Sequence, residues 1–203
     1  MEKLGKRTIA DLVYEAFLDG GGTLIGISPS ERMESKIWDK GLYEGKAFDF
    51  ITIGTKWVEG CYCLPNAALK KALETLSKTY RHILIDSPAG LEHLNRRITS
   101  NIDDIFDILD PSKKSFEHIK RAYRVIDEVG IVFKNFYVIG GYRFPKDFRE
   151  DLFNKNNFRF LGKVEYDKEV EEYVLAGQSL LNISSSSSAY KSVKKIVSQA
   201  GYF

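Results

Sequence analysis

The chain has 203 residues, 43% hydrophobic and 29% charged, which suits one α/β domain with a substantial core. Its 30 basic and 28 acidic residues leave a net charge of +2, so nothing in the overall charge calls for nucleic acid as a partner. Two cysteines make no disulfide framework, no apolar run approaches a membrane span, and no signal peptide is recognised; the expectation is a cytoplasmic protein.

Gly5-Lys6-Arg7-Thr8 opens a helix whose apolar positions Ile9, Leu12, Val13, Ala16 and Phe17 have helical spacing. A Gly-Lys-[Ser/Thr] before such a helix is the end of a P-loop, where backbone N–H groups and the lysine hold phosphates and the hydroxyl binds magnesium. Lys6 matches the lysine, but Arg7 stands at the hydroxyl position and Thr8 is one residue late. A guanidinium cannot ligate a cation. Two readings stay open: a shortened P-loop that is lost or damaged, or a chance match with Lys6 a solvated helix residue. Gly20-Gly21-Gly22 ends this helix, and Thr23 to Ile27 reads as a strand stopped by Ser28-Pro29.

Glu31 to Lys40 reads as a short helix, Gly41 to Gly45 as a loop, and Phe48 to Ile53 as a strand leading to the only two cysteines, Cys61 and Cys63. A disulfide across one residue is strained. Two thiolates are half of a closed soft-metal site, and a two-fold dimer meeting at this turn would supply four. Packed thiols or a redox pair are the plainer alternatives. Asn66 to Tyr80 reads as an amphipathic helix. Ile83-Leu84-Ile85 reads as a strand buried on both faces, which would place Asp86 at its carboxyl end, where ligands of parallel sheets bind. There Asp86 could hold magnesium; a plain helix-capping aspartate is the alternative. Ala89-Gly90 would let backbone approach a γ-phosphate. His93 is read as a helix-surface residue.

Ile102 to Leu109 reads as an unusually acidic strand, with Asp103, Asp104 and Asp107. Asp110-Pro111-Ser112 ends it, and Ser112 or Ser115 caps a helix reaching about Val129. Phe136 to Ile139 and Phe158 to Leu161 read as strands. Lys146 to Lys155 and Asp167 to Leu175 read as helices, the second ended by Gly177. Ser184 to Ser188 leads into a last helix, Tyr190 to Gln199, with Val193, Ile196 and Val197 inward and Lys191, Lys194 and Lys195 outward. That helix is short and lacks a bulky aliphatic face, so it is expected to dock on its domain and not on a membrane.

Gly60-Cys61-Tyr62-Cys63-Leu64-Pro65-Asn66, Asp86 through Leu94, and Leu109-Asp110-Pro111-Ser112-Lys113 together resemble the carbon-monoxide-dehydrogenase maturation ATPases. These are a nickel-insertion branch of the MinD/ParA-type P-loop proteins. Leu161 to Asp167, followed by Gly177, is a weaker echo. The resemblance implies a single α/β domain over residues 1–203, with a mostly parallel sheet, helices on both faces and the first P-loop strand missing. It implies ATP and Mg²⁺ as cofactors at Gly5, Lys6, Thr8, Asp86, Gly90, Asp110 and Pro111, with Asp86 catalytic. It implies nickel or zinc held by Cys61 and Cys63 across a homodimer, with a nickel enzyme, carbon monoxide dehydrogenase, as client. Gly26 and Ser28 replace the water-positioning aspartate turn of these relatives, and Gly140-Gly141 replaces an adenine-reading asparagine. These departures, with Arg7, argue against fast hydrolysis and leave a degenerate, non-hydrolysing binding module as the alternative.

Overall fold

A computed structural model describes residues 1, 4–18, 29–54, 63–87, 99, 101–145 and 158–202. The residues fall into two units, Met1–Thr99 and Ser100–Phe203.

In the first unit, helix α1 spans Ile9–Leu18. Ile9, Leu12 and Val13 repeat at helical spacing, and that stripe builds the core. Ile9 and Leu12 are fully buried against Ile37 and Ala72, with Met33, Trp38, Ile51, Ala68 and Leu69 packed around them. Helix α2, Pro29–Lys36, opens with a proline at its first position, where no amide hydrogen is missed. It runs on into a π-turn, Ile37–Gly41, that tucks Ile37 inward. Gly41 faces Leu12 so closely that an added Cβ would lie 3.2 Å from its Cδ1. Helix α3, Cys63–Leu76, contributes Ala68, Leu69 and Ala72.

The expected strand from Phe48 to Ile53 shrinks to a two-residue ladder. Strand β1, Tyr43–Glu44, pairs antiparallel with β2, Asp49–Phe50. Residues 51–54 leave the ladder, and the carbonyls of Thr52 and Ile53 bond to α1 instead. The expected buried strand Ile83-Leu84-Ile85 is not formed. These residues are irregular, with exposures of 40%, 92% and 42%. Three aliphatic residues in a row do not make a strand without a neighbour to ladder with, and no described residue pairs with them. Helix α3 also begins three residues earlier than its apolar period suggests and stops at Leu76. The expected Thr23–Ile27 strand and Lys146–Lys155 helix lie outside the described residues.

The second unit is built on a parallel sheet. Strand β3 (Asn101–Leu109) pairs with β4 (Val132–Gly140), and β4 with β5 (Arg159–Lys163). Strand β4 is central, and its run Phe136 to Gly140 is buried throughout, as a doubly covered parallel strand requires. Helix α4, Lys113–Glu128, connects β3 to β4 and buries Ile119, Ala122 and Ile126. Phe133, Phe136 and Phe158 close edge-on around Tyr123 of α4. Together this is an α/β arrangement in which helices flank a parallel sheet.

The acidic character of β3 is accommodated pairwise. Lys134 donates to Asp103 at 2.5 Å. Asp104 accepts from Asn135 at 2.6 Å and from the Tyr202 hydroxyl at 2.6 Å. That bond to Asp104 pushes the Tyr202 phenol up to about 12. Burial pushes the Asp107 carboxyl upward, with His118 opposing.

Helices α5 (Lys168–Leu175) and α6 (Ser188–Gln199) start from one carboxylate. Asp167 accepts from the amide of Glu169 at 2.9 Å and that of Ala189 at 3.2 Å. It also accepts the hydroxyls of Ser187 at 2.6 Å and Ser188 at 3.0 Å. A side chain that satisfies the orphan amides of two helix starts ties them together. The serine run is therefore a cap, as its place before the helix suggests. Of the residues expected inward on α6, Ile196 is buried and Val197 half-buried, but Val193 is 43% exposed. Ala189 takes the inward place, one turn nearer the cap.

These bonds, the Ser187 hydroxyl first, hold the Asp167 carboxyl well below the usual carboxylate range. A depressed carboxylate contributes stability above its unfolded pKa, near 3.8, and loses it as pH falls through the lower folded value. Asp167→Asn should lower the Tm at pH 7 and flatten the loss of Tm below about pH 4. Thermal melts from pH 7 to pH 2 check both; an unchanged profile would contradict the shared cap.

Candidate functional site

The residues expected to hold a nucleotide fall in both units. In the first, Gly5 is left-handed at φ 65° and leads into the start of α1. Thr8 is the N-cap: its hydroxyl donates to Asp11 Oδ2 at 2.7 Å and accepts the Asp11 amide at 3.1 Å, while its own amide donates to that carboxylate at 3.1 Å. This is a reciprocal capping box of the form Thr-x-x-Asp. The next two amides are also taken. Ile9 N–H donates to the Thr52 carbonyl at 3.0 Å, and Ala10 N–H to that of Ile53 at 2.8 Å. Lys6 Nζ donates to the Asp39 carbonyl at 2.7 Å, and the Arg7 amide to that of Lys40 at 2.8 Å. Both cover carbonyls of the π-turn. The Arg7 guanidinium pairs with Glu15 at 2.6 Å.

Gly54 fixes the segment that meets α1. It is left-handed at φ 77°, and a Cβ there would lie 2.2 Å from Thr8 Oγ1. The amides from Thr8 to Asp11 thus all have partners within the chain. A phosphate could use the two middle ones only by replacing the carbonyls of Thr52 and Ile53.

Asp86 is exposed on irregular chain. Gly90 and Cys61 lie outside the described residues, and Cys63 is the first residue of α3. Asn66, in the first turn of α3, has a buried side-chain oxygen with no hydrogen-bond partner. Among the described residues no three His, Cys, Asp or Glu side chains gather as a metal site. The Thr8 hydroxyl, already donating to Asp11, is committed elsewhere, so the described side chains as placed do not compose a magnesium site.

In the second unit, Asp110 and Pro111 lie at the carboxyl edge of the sheet, where parallel sheets bind ligands. Asp110 accepts the Ser112 amide at 2.7 Å, and the Ser112 side chain caps α4 through the Ser115 amide at 3.2 Å. The Ser112 hydroxyl, then its amide, holds the Asp110 carboxyl below the usual range. Next along this edge, Gly141 N–H donates to the Leu109 carbonyl at 2.7 Å. A Cβ on Gly140 would stand 2.9 Å from the Phe144 ring and 3.0 Å from Lys163 Cβ. Close packing thus demands this glycine. Lys163 Nζ donates to the Phe144 carbonyl at 3.0 Å and pairs with Glu165 at 3.2 Å. The exposed rings of Tyr142 and Tyr166 lie 6.2 Å apart on this edge.

Sequence reasoning found the positions on the carboxyl edge but missed the partners. Thr8-x-x-Asp11 is a capping-box pattern legible in the chain, and it competes with the Gly-Lys reading of the same residues. The carbonyls of Thr52 and Ile53 left no such signal.

The parallel sheet, its flanking helices and a loop-rich carboxyl edge are the arrangement of P-loop nucleotide-binding proteins. No family model matches the chain. It is 34% identical over 173 residues to an uncharacterized ATP-binding protein of Methanocaldococcus jannaschii, covering 84% of this chain and 68% of the relative. A second uncharacterized ATP-binding protein of that organism is 30% identical over 142 residues, covering 68% of this chain and 53% of the relative. The carbon monoxide dehydrogenase accessory protein CooC of Rhodospirillum rubrum is 25% identical over 127 residues, covering 62% of this chain and 48% of CooC. The chain belongs to the family of the first of these archaeal proteins, and it spans about half the length of the other two.

Gly54→Ala forces a side chain into Thr8 and a left-handed backbone on alanine. It should cost more than about 1 kcal/mol of stability, read as a lower midpoint in urea. An unchanged midpoint would show that residue 54 does not seat on α1.

Proposed function

We propose that this chain is a nucleotide-binding accessory protein for metal insertion, with carbon monoxide dehydrogenase as its client and nickel as its cargo. The match to an ATP-binding protein over 84% of the chain carries the nucleotide part. A match of that length takes in Cys61 through Asp110 wherever it begins. The more distant match to a carbon monoxide dehydrogenase accessory protein supports the client; the metal rests on the Cys61-x-Cys63 spacing alone. Cys61 and Cys63 would hold nickel or zinc with the same pair from a second copy, giving four soft ligands in a homodimer. Lys6, Thr8 and the α1 amides would meet the phosphates, with Gly5 and Gly90 beside them. Asp86 would serve Mg²⁺.

A second reading is favoured by a specific observation. The amides of Ile9 and Ala10 are bonded to Thr52 and Ile53, and the Lys6 ammonium to Asp39. A chain that keeps these bonds is a binding module that does not turn over ATP.

Calorimetry with Mg-ATP separates the two. The first reading expects micromolar binding, weakened about tenfold or more in Lys6→Ala, and about one metal per dimer, lost in Cys61→Ser. No heat with Mg-ATP, but metal still lost in Cys61→Ser, leaves the binding module. A Cys61→Ser protein that is monomeric with unchanged metal contradicts both.

A further inference from the structure

The first turn of α1 meets oxygens of its own chain. A helix start favours anions, and the oxygens that reach it here are the Thr52 carbonyl, 3.0 Å from the Ile9 amide, and the Ile53 carbonyl, 2.8 Å from that of Ala10. Both are neutral acceptors. A phosphate oxygen at the same amides would accept charge-assisted bonds, roughly twice as strong. The segment that supplies the carbonyls belongs to no helix or strand, and its residues 52–54 are half-buried. It is anchored at both ends. On one side Ile51 packs beside Ile9 and Leu12, and Asp49 accepts the Tyr80 hydroxyl and the Gly45 amide. On the other, Gly54 lies against Thr8 in a left-handed conformation, φ 77°, that leaves no room for a side chain.

We infer that residues 52–54 are an autoinhibitory strap, which occupies the phosphate amides of α1 and lifts off when a nucleotide binds. This regulation presupposes the nucleotide-binding reading above. When the binding-competent state is only fractionally populated, the apparent affinity falls by that fraction. Loosening either anchor of the strap therefore tightens nucleotide binding while it lowers stability. A segment that merely caps the helix predicts the reverse, because its loss frays the helix start and any site built there. The two anchors differ usefully. Gly54 touches α1 through Thr8, whereas Tyr80 lies past the end of α3 and acts on the strap only through Asp49.

The test measures Mg-ATP affinity by calorimetry, and hydrogen exchange at the Ile9 and Ala10 amides without ligand, in the full chain and three variants. Gly54→Ala sets a Cβ 2.2 Å from Thr8 Oγ1, and should bind Mg-ATP about fivefold or more tighter, with faster exchange at both amides. Tyr80→Phe keeps the ring but loses the bond to Asp49, and should tighten binding about threefold, again with faster exchange. Gly130→Ala is the control. It imposes the same left-handed strain, φ 67°, in the second unit with nothing within 4 Å, so it lowers the Tm and leaves both readouts unchanged. Mg-ATP binding that tightens in Gly54→Ala and Tyr80→Phe, or appears only in them, supports the strap. Affinity that stays level or falls in both while exchange quickens overturns the strap and leaves the nucleotide reading standing. Exchange unchanged in both variants also overturns the strap. No Mg-ATP binding in any of the four proteins overturns the nucleotide reading, and the strap with it.

Discussion

Four amides open helix α1, and each can be satisfied once. Thr8 and Asp11 take the outer two through a capping box, and the carbonyls of Thr52 and Ile53 take the amides of Ile9 and Ala10. The same bonds seat residues 51–54 on the helix and shorten strand β2, and Ile51 thereby reaches the core beside Ile9 and Leu12. Local capping, the course of the chain and the core of the first unit thus rest on one set of hydrogen bonds. Any phosphate at this helix must exchange with two of them. Desolvated amides are costly to leave unpaired, so the exchange has to be one for one. The competition between phosphate oxygens and two backbone carbonyls separates the nucleotide-binding reading from that of a silent module.

The second unit answers a different constraint. A parallel sheet needs long crossovers, and every helix start on its carboxyl edge must find acceptors. Ser112 serves α4, and Asp167 serves α5 and α6 together. Asp110, Gly140, Gly141 and Lys163 all lie along that edge, held by backbone bonds or packing. Capping fixes where the helices start along that edge.

Much of this was legible in the chain. The strands around Ile105, Val138 and Leu161, the Ser112 cap and the helix after Asp167 follow from apolar period and turn chemistry. The failures have physical reasons. Ile83-Leu84-Ile85 has the composition of a buried strand, but a strand also needs a ladder partner, and composition does not say whether one arrives. Gly5-Lys6 and Thr8-x-x-Asp11 overlap in one stretch and point to opposite roles, phosphate holder or sealed cap. The long-range bonds to Thr52, Ile53 and Asp39 belong to the capped arrangement, and such bonds carry no local pattern. Gly140 reads as a missing base contact, whereas Phe144 and Lys163 show that packing requires it. The cysteine pair stays a reading of the sequence: Cys61 lies outside the described residues, and Cys63 is the first residue of α3.

The most direct measurement follows the amide resonances of Ile9 and Ala10 in ¹⁵N-labelled protein as Mg-ATP is added. If phosphate replaces the carbonyls of Thr52 and Ile53, both resonances shift with the nucleotide, and the amide of Gly54 shifts with them. A spectrum unchanged at millimolar Mg-ATP, or binding that leaves Ile9 and Ala10 in place, would contradict a nucleotide site at α1.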